Sequence, residues 1–487
     1  MNSFFADLHC HPTVIPFNLE LDPWEPFILH HASQASFDAL TRGNVKIIGA
    51  CLYPIEHGFL EIKGIPSNLL DTVFKLISIM IDKRYDELVS EDHSYFEDVL
   101  KEYAVLKNIQ PNPKNGMKVE VTRSYERLKE LFSIDDNFNV GNPDAKVIAA
   151  IPTIEGAHGL GAGQKNTASI DPENLSNPQT VAWMNQMLDN ISKLKNPADG
   201  SPAPLFISFS HHFWNQLCGH TVSFYNKSFL NQEAPQNVNF DRSFTALGEV
   251  VFKSLLDTSN GPRIYIDTRH MTVNARLAYY AYAQANGIPV LASHSSYNAK
   301  ATIAASYTGI GKPADETMNE YADKLYEASN VFNPWDINLT DEEIGMIYQS
   351  GGVIGLNFDQ HVIAGYKSVK KMKCKSTFCF AAGKRRIWIE PFALNIIKIA
   401  EAIKNKSGLN DDTIWQYCCI GSDFDGAIKS TPPFDSAQTL PDWADALLEY
   451  FKKNRTGLLS GKTDAALEQI VENVAHKNAL RFLSRVM

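Results

Sequence analysis

Phe4–His11 reads FFADLHCH, a short apolar run that closes on two histidines one residue apart. Seven further runs are built the same way. They are Val45–Tyr53 (VKIIGACLY), Lys146–Glu155 (KVIAAIPTIE), Leu205–His211 (LFISFSH), Arg263–His270 (RIYIDTRH), Ile288–His294 (IPVLASH), Gly352–Asn357 (GVIGLN) and Tyr417–Asp423 (YCCIGSD). Near-continuous apolar runs of this length fit strands covered on both faces, as in a parallel sheet. Helix-like stretches lie between them. Thr272–Asn286 starts at a Thr cap and stops at Gly287, and Thr340–Ser350 opens with a Thr-x-x-Glu box (Thr340, Glu343) and stops at Gly351. Eight strands alternating with helices predict an α/β fold, a (β/α)8 TIM-type barrel. The competing arrangement is a doubly wound open sheet. Its dinucleotide-binding version would place Gly-x-Gly-x-x-Gly after the first strand, and none is there.

A plain barrel needs about 250 residues, and the chain has 487. The reading is a single domain, 1–487, whose surplus forms insertions at about 70–118, 161–178, 295–339 and 361–389. All of these follow strand C-termini, the face on which barrel enzymes build sites and lids.

The balance of 45 basic and 55 acidic residues, −10 overall, argues against a general partner for nucleic acid or anionic membrane. No apolar run approaches the ~18 residues of a membrane span. The start, MNSFFADLHCHPT, has neither a charged n-region nor an apolar h-region, so the expected location is the cytoplasm. Seven scattered cysteines do not suggest a disulfide framework. Cys374 and Cys379 are close enough in sequence to pair, a weak signal.

Polar residues close most of the strands. His9 and His11 close the first, where residues i and i+2 point the same way and both imidazoles reach one metal. Glu155 closes the third, His211 the fourth, His270 the fifth, His294 the sixth and Asp423 the eighth. A barrel brings these ends to one mouth. Taken singly each has an ordinary reading: a capping or core histidine, a helix-capping Glu155, a turn-forming Asp423 within Gly-Ser-Asp-Phe-Asp-Gly. Independent structural uses would not collect all of them at strand C-termini. The set suits borderline divalent ions, Zn2+ first and Mn2+, Fe2+ or Co2+ after it. Six or so candidate ligands exceed one tetrahedral site, so two ions sharing a carboxylate are expected, with a bridging water losing a proton near neutral pH to become the nucleophile. Of the other histidines, His158 is a candidate to orient Glu155, His212 is expected by strand parity to point away from the mouth, and His220 lies beside the fourth strand. His30 and His31 fall in a loop-to-helix region, and His57, His93 and His476 read as surface or helix residues.

From Phe5 to about Leu483 the chain resembles the membrane (renal-type) dipeptidases, peptidase family M19, a branch of the metal-dependent amidohydrolase superfamily. The resemblance rests on Ile154-Glu155-Gly156, Ile266-Asp267-Thr268-Arg269-His270, Ser293-His294-Ser295-Ser296 and Ile420-Gly421-Ser422-Asp423-Phe424-Asp425-Gly426, with Glu472–Leu483 similar to the family's C-terminal helix. It implies a (β/α)8 barrel with two metal ions, usually zinc, and commonly a homodimer. By matching position, His9 and His11 bind one ion, Glu155 bridges both, and His270 and His294 bind the second. Asp423 holds and deprotonates the water and returns the proton to the leaving amine. His211 contacts both substrate and the developing oxyanion.

Two departures stand out. The family has His-x-Asp where this chain has His9-x-His11, which makes the site one unit more positive. The family also carries an Arg shortly after Ser-His-Ser-Ser that grips the substrate's C-terminal carboxylate. Here Ser295–Gly311 contains no Arg and only Lys300. A replacement is offered by Tyr366–Arg386, with eight basic residues and no acidic one. It reads either as a solvated loop or as a lid presenting cations to an anionic substrate. The expected function is thus a metal-dependent, dipeptidase-like hydrolase of a dipeptide or related small amide. The rivals are a phosphoester or lactone hydrolase of the same superfamily, and a non-catalytic binding protein on a degenerate barrel.

Overall fold

The eight apolar runs are eight parallel strands in the computed structural model. They are β1 (Phe5–Cys10), β2 (Val45–Leu52), β3 (Val147–Glu155), β4 (Phe206–Ser208), β5 (Tyr265–Asp267), β6 (Leu291–Ser295), β7 (Val353–Leu356) and β8 (Cys418–Ile420). The structure describes residues 4–24, 27–28, 31–60, 82–161, 170–225, 239–373 and 381–487. The strands run in the order β2-β1-β8-β7-β6-β5-β4-β3, and β3 returns to pair with β2 from Ile47↔Ala149 to Leu52↔Ile154. The sheet is therefore a closed α/β barrel. Every residue of every one of these strands is buried, as two-sided cover by barrel core and helices requires.

Three strands are shorter than their runs. β4, β5 and β8 stop at Ser208, Asp267 and Ile420, three residues before His211, His270 and Asp423. Those three residues therefore stand in the loops of the barrel mouth and not in the hydrogen-bonded ladder.

A ninth strand, Lys118–Val121, was not expected. It lies parallel to the first half of β3 (Val119↔Ile148, Val121↔Ala150), on the edge that β4 takes only at Ile154 and Glu155. Its sequence, KVEV, is too short and polar to stand out within a charge-rich stretch. Helices Asp82–Val89 and Tyr95–Lys107 occupy the described part of that stretch. The span 295–339 holds the helix Met318–Ala328, closed by a second capping box (Thr317, Glu320). Of the basic stretch, Tyr366–Met372 is helical, and 374–380, with both candidate pairing cysteines, lies outside the described residues.

The caps read from sequence are in place. Thr272 accepts from the Ala275 N–H at the start of Val273–Ala285. Thr340 and Glu343 form a reciprocal capping box on Asp341–Ser350, which ends at Gly351 with φ 71°. The five described cysteines are free and buried. No described helix is long and apolar enough to cross a membrane.

The seam of β6, β7 and β8 is unusually close. The β6–β7 register shifts between Ile354 and Leu356. A Cβ at Gly355 would stand 1.8 Å from the Ser293 carbonyl oxygen, and one at Gly421 would meet the same atom at 1.8 Å. Neither position accepts a methyl without parting strands directly beside His294. Gly355→Ala is expected to cost about 3 kcal/mol, read as a lowered midpoint in urea unfolding. A loss under about 0.5 kcal/mol would show that the seam yields.

Candidate metal centre

Glu155, the last residue of β3, is buried among five imidazoles. Its Oε1 lies 3.5 Å from His9 Nε2, 3.4 Å from His211 Nε2, 3.5 Å from His270 Nε2 and 3.3 Å from His294 Nε2. Its Oε2 lies 3.2 Å from His11 Nε2. Asp423 completes the group, with Oδ1 3.3 Å from His11 Nε2 and 3.8 Å from His9 Nε2, and Oδ2 3.9 Å from His294 Nε2. All seven residues singled out from the strand ends thus converge on one mouth. His270 and Asp423 sit there at φ 67° and 64°, a left-handed conformation that costs most residues on the order of 1 kcal/mol or more and recurs at functional sites.

The surroundings aim the imidazoles. The Ser293 hydroxyl donates to Asp267 Oδ2 at 2.6 Å and stands 3.1 Å from His9 Nδ1 and 2.8 Å from His294 Nδ1. Its single proton is spent on Asp267, so its lone pairs accept from both rings. That fixes each histidine as the Nδ1–H tautomer with the Nε2 lone pair turned to the centre. Asp267 is itself held by the Ser208 hydroxyl and the Ser293 N–H. Asp7 accepts from the N–H groups of His9 and Ser422 and from the Ser422 hydroxyl. His211 Nδ1 lies 2.5 Å from Glu56 Oε2, and the other Glu56 oxygen accepts from the Phe213 N–H at 3.2 Å. Burial pushes the Glu56 carboxyl up, but the imidazoles of His211 and His158 outweigh it and hold it below its usual range. Burial likewise opposes charge on His211, yet Glu155 and Glu56 push its imidazole up to about 9. Burial keeps His270 and His294 well below the usual histidine value, and hence neutral.

These residues fit divalent ions. His9 Nε2 and His11 Nε2 are buried without a hydrogen-bond partner, and His270 Nε2 faces His294 Nε2 at 3.2 Å. Two ligands each about 2.0–2.1 Å from a tetrahedral Zn2+ lie about 3.3–3.4 Å apart, and the separations around Glu155 Oε1 run from 3.3 to 3.5 Å. Three ligand groupings meet within 4.8 Å: His9, His11, Cys51 and Glu155; His9, His294 and Asp423; and Glu155, His211 and His270.

Glu56, Asp267, Asp7 and Cys51 were not picked out from the sequence. Asp7 was within reach of the alternation rule, since it stands two residues before His9 and shares the inward face of β1. At the site itself, two histidines are placed differently from expectation. His212 does not point away: the strand ends at Ser208, so parity no longer applies, and its ring lines the cavity, stacked on Phe224 at 4.2 Å. His158 turns from Glu155 and meets the Pro54 carbonyl at 2.8 Å, with Nδ1 4.0 Å from Glu56. His93, paired with Asp98 at 2.8 Å, is buried in a loop, and His476, a helix residue as read, is buried against Phe4. His30 lies outside the described residues. Asp423 also opens the turn, its carbonyl accepting from the Gly426 N–H at 3.0 Å, while the Asp425 carboxylate accepts from Ser33 Oγ and the N–H groups of Gln34 and Ala35.

No protein-family model matches the chain, and no curated protein matches its sequence. Solved structures do match its fold. A metallopeptidase from Rhodobacter sphaeroides, solved with a phosphinate mimic of the dipeptide L-Ala-D-Ala, aligns at TM-score 0.53 and 12% identity, over 100% of this chain and 99% of that one. A dipeptidase of metallopeptidase family M19 aligns at 0.51 and 12%, over 100% and 99%. The probable dipeptidase PvdM from Pseudomonas aeruginosa aligns at 0.51 and 14%, over 99% and 95%. In its described residues the chain has the barrel fold of the family M19 dipeptidases.

Proposed function

We propose that the chain is a metal-dependent hydrolase of dipeptidase type, a member of the renal-type dipeptidase family, cleaving the amide bond of a dipeptide or related small amide. The observation that carries this reading is the arrangement of five buried imidazoles around Glu155, with the unpartnered Nε2 atoms of His9 and His11 turned inward. His9, His11 and Glu155 would hold one divalent ion, and Glu155, His270 and His294 a second, with Zn2+ favoured by ligand type. Ions bound there supply an acidified water and a polarised carbonyl.

The remaining steps fall to side chains. Asp423 lines the cavity and is 8% exposed, so its carboxylate is reachable by water and substrate. It takes the proton of the attacking water and returns it to the leaving amine. His211 directs Nε2 to the centre while Nδ1 donates to Glu56, and it stabilises the negative charge that develops on the carbonyl oxygen.

Purified protein is expected to carry divalent metal, to lose hydrolysis of dipeptides on chelation, and to regain it when Zn2+, Mn2+ or Co2+ is returned. The panel should include dipeptides with a D-residue on the C-terminal side, in view of the ligand in the Rhodobacter structure, together with phosphomonoesters and lactones. Protein without metal and without metal rescue would sink the reading. Faster turnover of the esters than of any dipeptide would reassign the substrate.

A further inference from the structure

Three described arginines are almost wholly buried: Arg84, Arg269 and Arg276. Two have a carboxylate partner, Arg84 with Asp98 at 2.7 Å and Arg276 with Glu343 at 3.0 Å. Arg269, 3% exposed, differs. Its one side-chain hydrogen bond among the described residues runs from Nη1 to the Ile337 carbonyl at 2.8 Å, and its Nε is buried without a partner. Burying a guanidinium is costly unless a counter-charge meets it.

Arg269 precedes His270 and lines the same cavity, which opens to solvent over the candidate metal centre. Three acids line that cavity, and none is hydrogen-bonded to the Arg269 guanidinium. Asp423 faces the imidazoles of His11, His9 and His294. Glu155 is ringed by imidazoles. Asp359 accepts from the backbone N–H groups of His361, Val362 and Lys429. At the rim Lys429 is exposed. His361, on the same wall, is pushed down to about 3, chiefly by burial and further by the charges of Lys373 and Lys429. None of the described residues of the basic stretch Tyr366–Arg386 lines the cavity.

We propose that Arg269 is a specificity-determining residue that binds an oxyanion of the substrate, a carboxylate or a phosphate-class group, beside the metal centre, with Lys429 adding charge at the rim. The planar guanidinium suits either group. The proposal rests on the hydrolase reading above.

The test uses the metal-loaded enzyme and pairs each dipeptide with its neutral C-terminal amide and with an analogue carrying a phosphonate in place of the carboxylate. Arg269→Met is expected to lower kcat/KM about 100-fold on the anionic substrates, mainly through KM, and less than threefold on the amide. Arg269→Lys should restore part of the loss, which guards against a misfolded Met variant. Lys429→Gln should cost less and lose its effect at high salt. Greater sensitivity of the carboxylate arm names a carboxylate as the ligand, and of the phosphonate arm a phosphate-class group. Equal losses on charged and neutral substrates would overturn the proposal, because a purely structural Arg269 predicts that result. Calorimetric titration of N-acetyl-D-alaninate and of inorganic phosphate reads the same site without turnover. Binding by the parent protein that Arg269→Met abolishes supports the proposal even if no amide is cleaved, and binding unchanged by the variant overturns it.

Discussion

Asp423→Asn is expected to lower kcat by about 10³-fold, within the 10²–10⁴-fold range that a positioned general base contributes, while the metal content stays at the parent level. Asn has the same shape and can keep the backbone contacts that seat the residue, where the Asp423 N–H donates to the His9 carbonyl at 2.8 Å. What it loses is the ability to take a proton. Asp423 is set apart from Glu155 by position. It approaches the imidazoles at 3.3 to 3.9 Å from the cavity side, and the Asn357 amide reaches its Oδ2 at 3.4 Å. Steady-state kinetics with metal analysis on the same preparation checks the assignment. If kcat falls less than tenfold, another group carries the proton. If the metal leaves with the carboxylate, Asp423 is a ligand first.

The barrel was legible because its strands are apolar on both faces and end in polar residues. FFADLHCH, VKIIGACLY and KVIAAIPTIE each announce a buried strand. The convergence of His9, His11, Glu155, His211, His270, His294 and Asp423 then follows from closure alone. The local geometry was not legible. His211 and His212 read as the alternating end of a strand, but the ladder stops at Ser208 and both rings reach the cavity.

The groups that aim the imidazoles were harder to find for a physical reason. Asp267 and Ser293 act through hydrogen bonds between strands, and those depend on a register that sequence does not disclose. Glu56 stands 155 residues from its partner His211 in a loop after β2. Arg269 stands within the Ile266–His270 signature, yet its significance lies in an absent carboxylate partner, which is visible only once burial is known. Lys118–Val121 joins the sheet because β3 is longer than β4 and leaves part of its edge bare.

Glu155→Gln is expected to remove the metal and with it all measurable turnover. A single carboxylate lies within 3.5 Å of five imidazole nitrogens. Burial pushes its carboxyl up, and the charges of His211 and His9 outweigh that and hold it well below its usual range. Gln keeps the volume, removes the negative charge and turns an N–H donor toward the lone pairs that would take the ions. Loss of outer partners alone typically costs metal sites 10–100-fold in affinity, so loss of the bridging carboxylate should exceed about 100-fold. Stability gives an independent readout. A ligand that binds only the folded state stabilises it by RT ln(1 + [L]/Kd) and so raises its melting temperature. The parent protein should therefore melt lower in chelator than in Zn2+, and Glu155→Gln should melt at the same temperature in both. A variant that kept its metal and its chelator-dependent shift would show that the imidazoles suffice without Glu155, and the bridging assignment would be withdrawn.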